Sequence, residues 1–128
     1  MNLPEANTKA IFMDDQKTQL REDAVSFAIK ISDLCEGIKN CSIYVDQIIR
    51  SSSSIGANIY EARYAQSTLD FIHKLEISLK ECSETEYWLE LLYRKDKISE
   101  VTYKNLLQQC GSIRRRLISS VKTAKSKL

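Results

Sequence analysis

The stretch "IIRSSSSIGANIYEAR", Ile48 to Arg63, decides how this chain is read. Around it, Val45, Ile48, Ile49, Ser52, Ile55, Gly56, Ile59 and Ala62 keep the three- and four-residue steps of one helix face. Yet its middle is four serines followed by a glycine. At roughly 0.5 kcal/mol per serine and about 1 kcal/mol for glycine relative to alanine, the run gives up about 3 kcal/mol of helix propensity. Something outside the helix must compensate.

The same rhythm continues on both sides. Upstream, Leu20, Ala24, Phe27, Ala28, Ile31, Leu34, Cys35 and Ile38 form a stripe that ends in "EGIKNCS", with Asn40 near the cap. Downstream, "AQSTLD" breaks the pattern, and Ser67 followed by Asp70 resembles a capping box. A third helix follows to about Arg94, with Phe71, Leu75, Leu79, Cys82, Glu86, Leu89 and Tyr93 near one face. Ser99 is a plausible cap for a fourth, whose stripe is Tyr103, Leu106, Cys110, Ile113, Leu117, Val121 and Ala124. With one proline and three glycines in 128 residues, breakers are scarce and strand alternation is missing. The expected fold is all-α: an antiparallel up-down-up-down four-helix bundle over residues 15–126 as a single domain, after a loose arm at residues 1–14.

Several function classes drop out. The sole histidine, His73, rules out the paired Glu-x-x-His motifs of a di-metal bundle and leaves no supported Ser-His-Asp set. No C-x-x-C, H-E-x-x-H, P-loop or G-x-G-x-x-G pattern is present. Cys35, Cys41, Cys82 and Cys110 are scattered as buried thiols would be. No metal, cofactor or catalytic residue is expected. No apolar run reaches the ~20 residues of a membrane span, and the N-terminus lacks a signal-peptide pattern. A cytoplasmic protein without catalysis or membrane contact is the expectation.

Two surfaces remain as candidates. On the wheel of the second helix, Arg50, Ser54, Ala57 and Glu61 lie opposite the core, where lysines and glutamates would be ordinary. On the third, Ile77, Glu81, Glu84, Trp88 and Leu91 form a stripe away from the expected core, with a tryptophan among them. Small residues allow close helix approach, so these two stripes predict a homo-oligomer interface in which Glu81 and Glu84 meet Arg50 or Arg63 of a neighbouring copy. Asn58, at the core boundary, is a candidate structural polar residue that fixes helix register.

The other surface is electrostatic. Net charge is only +2, but no acidic residue follows Glu100, while Lys104, Arg114, Arg115, Arg116, Lys122, Lys125 and Lys127 do. The first hundred residues then carry a balance of −5. Lys104, Arg115 and Lys122 share one outward stripe of the fourth helix, with Arg114, Arg116 and Lys125 beside it. Such a cluster suits phosphates, and it equally suits charge compensation of the acidic helices beside it.

"IIRSSSSIGANIYEA" followed by "FIHKLEISLKECSETEYWLELL" resembles the two-part signature of the four-helix bundle proteins encoded in 23S rRNA intervening sequences, a fold shared with the accessory variability determinant of diversity-generating retroelements. The resemblance covers about residues 20–123. Arg50, Ser54, Ile55, Asn58, Ile59 and Glu61 sit on matching positions, whereas Ala62 and Arg63 stand where the pattern usually continues with glycine. The resemblance implies a homopentameric ring without catalytic activity. For the retroelement relatives it implies binding of nucleic acid and of a reverse transcriptase through a positive surface. Two readings stand at this point: an oligomer binding RNA or DNA through the basic fourth helix, or a structural or adaptor oligomer that contacts a protein such as a reverse transcriptase.

Overall fold

The computed structural model describes the backbone of residues 4–128 and the side chains of residues 18–128. Four helices follow one another: α1 (Pro4–Glu36), α2 (Ser42–Ala62), α3 (Thr68–Arg94) and α4 (Glu100–Lys125). Each packs on its chain neighbour, and α4 closes against α1. The directions alternate. Going up α2, Ser51, Ile55 and Glu61 meet Thr85, Ser78 and Lys74 in descending order on α3. Tyr103 stacks on Tyr93 at one end of the α3–α4 contact, and Lys125 reaches Glu76 at the other.

Local chemistry sets the boundaries. The Ser67 hydroxyl accepts from the Asp70 N–H at 3.0 Å, and the Asp70 carboxylate accepts from the Gln66 N–H rather than from the cap residue itself. Ser99 caps α4 through the Thr102 N–H at 3.1 Å. Asn40 (φ 67°) and Asp96 (φ 59°) take the left-handed conformation at the α1–α2 and α3–α4 turns. Short polar side chains tolerate that region best after glycine. The N-terminus departs from the expectation: helix begins at Pro4, so residues 4–14 of the expected arm have helical backbone. Proline suits a first helical position, since its missing N–H would have no partner there, and no breaker follows before Glu36. Residues 1–3 and the side chains up to residue 17 lie outside the described residues.

The core is built from Ala24, Phe27 and Ile31 of α1, Ile48, Ile55 and Ile59 of α2, Leu75, Leu89 and Leu92 of α3, and Ile113 and Leu117 of α4. All four cysteines are free and buried within it. On α3 the buried face is Ile72, Leu75, Ser78, Cys82, Thr85, Leu89 and Leu92, turned toward α2 from the expected stripe. Phe71, Leu79, Glu86 and Tyr93 are only half-buried. On α2, Ile49 is 37% exposed while Ser51 and Ser52 are buried.

Candidate nucleic-acid interface

The serine run is resolved within one chain. Ser51 is fully buried; its hydroxyl accepts from Thr85 Oγ1 at 2.8 Å and donates to the Ile48 carbonyl. Ser78, also fully buried, donates to the Ile55 carbonyl at 2.8 Å. These hydroxyls are buried without penalty because each has a partner. No buried side-chain nitrogen or oxygen among the described residues lacks one. On the other side of α2, a Cβ added to Gly56 would lie 3.4 Å from Ala24 Cβ, so glycine there lets α1 approach.

Part of the two expected interface stripes meets across α2 and α3 of the same chain. Arg50 forks onto Glu81 and Glu84, and its Nε donates to Gln47. Trp88 is half-buried rather than exposed: it stacks on Tyr44 at 5.9 Å and donates from Nε1 to Glu84 at 3.1 Å. That Trp88 bond, followed by Arg50, holds the Glu84 carboxyl below its usual range, and the Glu84 bond raises the Arg50 guanidinium. At the other end Glu61 accepts from Lys74 at 3.0 Å. Ser54, Ile77 and Leu91 are half-buried. Ala57 instead borders the α1–α2 groove. Asn58 donates to the Ser54 carbonyl of its own helix at 2.9 Å, so its bond runs within α2 and not across to a neighbour.

On α4 the structure divides the cations. Lys104 pairs with Glu100 (2.8 Å), Arg114 Nε with Glu86 (3.4 Å), Arg116 with Asp23 (2.8 Å) and Lys125 with Glu76 (3.3 Å). These four link α4 to acids of its own first turn, α3 and α1. The Glu100 bond raises the Lys104 ammonium and lowers the Glu100 carboxyl. Arg115 and Lys122 are exposed, and among the described residues neither has a carboxylate within 4 Å. Lys122 and Lys125 also lie in the last turn, where the helix dipole favours positive charge.

Two features escape a reading of single helices. Gly111 lies under the arms of Arg114 and Arg115: its absent Cβ would be 3.6 Å and 3.3 Å from their guanidinium nitrogens. Between α1 and α2, Val25, Ile29, Ile49 and Tyr60 line an open groove with Ala28 and Gly56. They are 46%, 54%, 37% and 50% exposed. Val25, Ile29 and Tyr60 stand beside the expected core stripes and Ile49 was expected on one, and only the pairing of two helices makes them one surface. No group of His, Cys, Asp or Glu able to hold a metal occurs among the described residues. No described helix is long and apolar enough to cross a membrane.

Comparison with known proteins settles the lineage. The family model for the 23S rRNA-intervening sequence protein matches residues 16–119, nearly the whole four-helix body. The chain belongs to that family. It is also similar to a solved structure from Bacteroides thetaiotaomicron VPI-5482, described as a protein with unknown function from the S23 ribosomal protein family. The two share 42% identity with a TM-score of 0.79, over 83% of this chain and 97% of that one. No curated protein matches. The expected family and the all-helical four-helix fold therefore hold.

Proposed function

We propose that this 23S rRNA-intervening sequence family protein is a non-catalytic nucleic-acid-binding bundle whose contact surface is the outer face of α4. One observation carries the reading. In a helix whose other cations pair with neighbouring acids, Arg115 and Lys122 are exposed seven residues apart, and among the described residues neither has a carboxylate within 4 Å. Two helical turns, about 10.5 Å, separate them, and flexible side chains on that spacing can meet phosphates of one strand. Both the family name and that of the similar structure attach to the ribosome, so RNA is the polymer to test first.

The test is RNA binding by fluorescence anisotropy over a salt series. Neutralising Arg115→Gln and Lys122→Gln together should flatten the log–log salt slope by about 1.4, the contribution of two phosphate contacts on single-stranded RNA. Wild-type protein that fails to bind at low salt, or a double variant with unchanged slope, overturns the reading. Reversing Arg114 or Arg116 is a poorer test, because either change also breaks a pair with Glu86 or Asp23.

A second reading, self-association, is favoured by the α1–α2 groove. Contiguous exposed Val25, Ile29, Ile49 and Tyr60 form the kind of apolar face that proteins usually cover. A second copy is the proposed cover, in a ring of five, the number implied by the family resemblance. On the α2 and α3 stripes, Arg50, Glu61, Glu81, Glu84 and Trp88 already have partners inside the chain. Light scattering should return a multiple of the 14.7 kDa monomer. Val25→Glu with Ile29→Glu should reduce it to the monomer while leaving the helical signal intact. A monomeric wild type at micromolar concentration sinks this reading.

A further inference from the structure

The end of the bundle at the α2–α3 turn is not filled. α2 stops at Ala62 and α3 starts at Thr68, and Ala62 and Ala65 put only methyl groups where larger side chains would close the space. A cleft of about 430 Å³ opens there, walled by residues of all four helices. Leu20, Ile59 and Leu75, none more than 5% exposed, form its floor with the half-buried Phe71. That volume falls within the roughly 300–1,000 Å³ of small-ligand sites. An apolar floor gives water few hydrogen-bond partners, so a ligand with an apolar body gains by displacing it.

The rim carries one sign of charge. Arg21 and Arg63 line the cleft, and no aspartate or glutamate does. Arg21 is already engaged: its guanidinium lies over the Tyr60 ring at 5.9 Å and has Glu22 at 3.9 Å. Arg63 is exposed, and among the described residues no carboxylate stands within 4 Å of it. Glu81 and Glu84, expected to answer either Arg50 or Arg63, are held by Arg50. No buried side-chain nitrogen or oxygen among the described residues lacks a partner, so the floor has no hydrogen bond to offer a sugar or a base. Hydrocarbon is the body it suits. We propose that the cleft binds a small amphipathic carboxylate, its apolar chain over Leu20, Ile59, Phe71 and Leu75 and its carboxylate forked by the Arg63 guanidinium. Such a fork matches a carboxylate with two parallel bonds. Neither Arg115 nor Lys122 lines the cleft, so the site stands apart from the nucleic-acid reading of α4.

Octanoate is the probe, titrated into the full chain while amide NMR resonances are followed. Saturable shifts should centre on Ile59, Phe71 and Leu75, with a sub-millimolar Kd, the scale expected for a ligand of about ten heavy atoms. Acetate, which lacks the chain, and octan-1-ol, which lacks the charge, should each bind roughly tenfold more weakly or worse. Arg63→Gln should weaken octanoate about tenfold, the scale of a lost charge-assisted bond, and leave octan-1-ol unchanged. Ser120→Trp plugs the cleft from α4 and should abolish binding of both, with the melting temperature as the fold control. Should that variant fail to fold, Ala65→Trp plugs the cleft from the turn instead. Four outcomes overturn the proposal: no saturable shift in wild type, equal affinity for octanoate and octan-1-ol, undiminished octanoate binding by Arg63→Gln, or undiminished binding by a folded plugged variant. Shifts centred on Val25 and Ile49 would put the ligand in the α1–α2 groove and overturn it as well.

Discussion

Helix α2 has two flanks, and they are finished differently. Toward α3 it presents Ser51, whose hydroxyl is matched by Thr85, and the Ile55 carbonyl, matched by Ser78; Arg50 and Glu61 clamp the two ends of that seam. Toward α1 it presents Gly56 in contact with Ala24, and beyond that contact the exposed Ile49 and Tyr60. Small residues serve both flanks by letting backbones approach. Only one flank is also chemically complete. The difference teaches that close approach alone does not close a surface: hydroxyl pairing seals the α3 side, while large apolar side chains remain outside on the α1 side.

The sharpest way to break this contrast uses two isoleucines of the same helix. Ile55→Ala, at a position with no exposure, should cost about 2–5 kcal/mol in chemical denaturation. Ile49→Ala in the groove should cost under about 1 kcal/mol for the isolated chain. Equal costs would mean that the groove is covered in solution. Next in size is Ser51→Ala, which leaves the fully buried Thr85 hydroxyl without its acceptor and should cost roughly 1–3 kcal/mol. Adding Thr85→Val should recover much of that loss, and a strictly additive double variant would contradict the pairing.

The smallest effect concerns the clamp. The Trp88 N–H and Arg50 hold the Glu84 carboxyl below its ordinary range, so its stabilising contribution is complete above that range and is lost as pH falls through the lowered value. Because the pair is solvent-facing, the contribution should be only ~0.5 kcal/mol. Glu84→Gln should remove it at neutral pH and flatten the acid limb of the stability curve. An acid limb identical to wild type would show that the clamp contributes nothing.

The fold was legible because each helix repeats its apolar residues at the right period, and Ser67 and Ser99 mark starts that the structure confirms, while α1 ends at Glu36 and Asn40 lies in the turn beyond it. The serines were legible as a close contact but not as a contact with α3. A wheel shows which residues share a face, not whether the partner is the next helix or another molecule. Thr85 and Ser78 carried no apolar signal, so their burial became visible only opposite Ser51 and Ile55. The basic character of α4 was plain from the missing acids after Glu100, while its division into paired and unpaired cations depended on Asp23, Glu76 and Glu86 on other helices. Gly111 gave no signal: its cover comes from the backward lean of two long arms.

The placement of the thiols makes the molecule its own instrument. Cys35, Cys82 and Cys110 lie inside three different helices and Cys41 immediately precedes the remaining one, each hidden and unlinked. Burial pushes Cys35 up to about 11, and the contact with Cys82, reinforced by burial, pushes Cys110 up as well. Alkylation therefore has to wait for the surrounding structure to part. Following the four labelling rates by mass spectrometry would time the breathing of the bundle helix by helix, without adding any foreign probe.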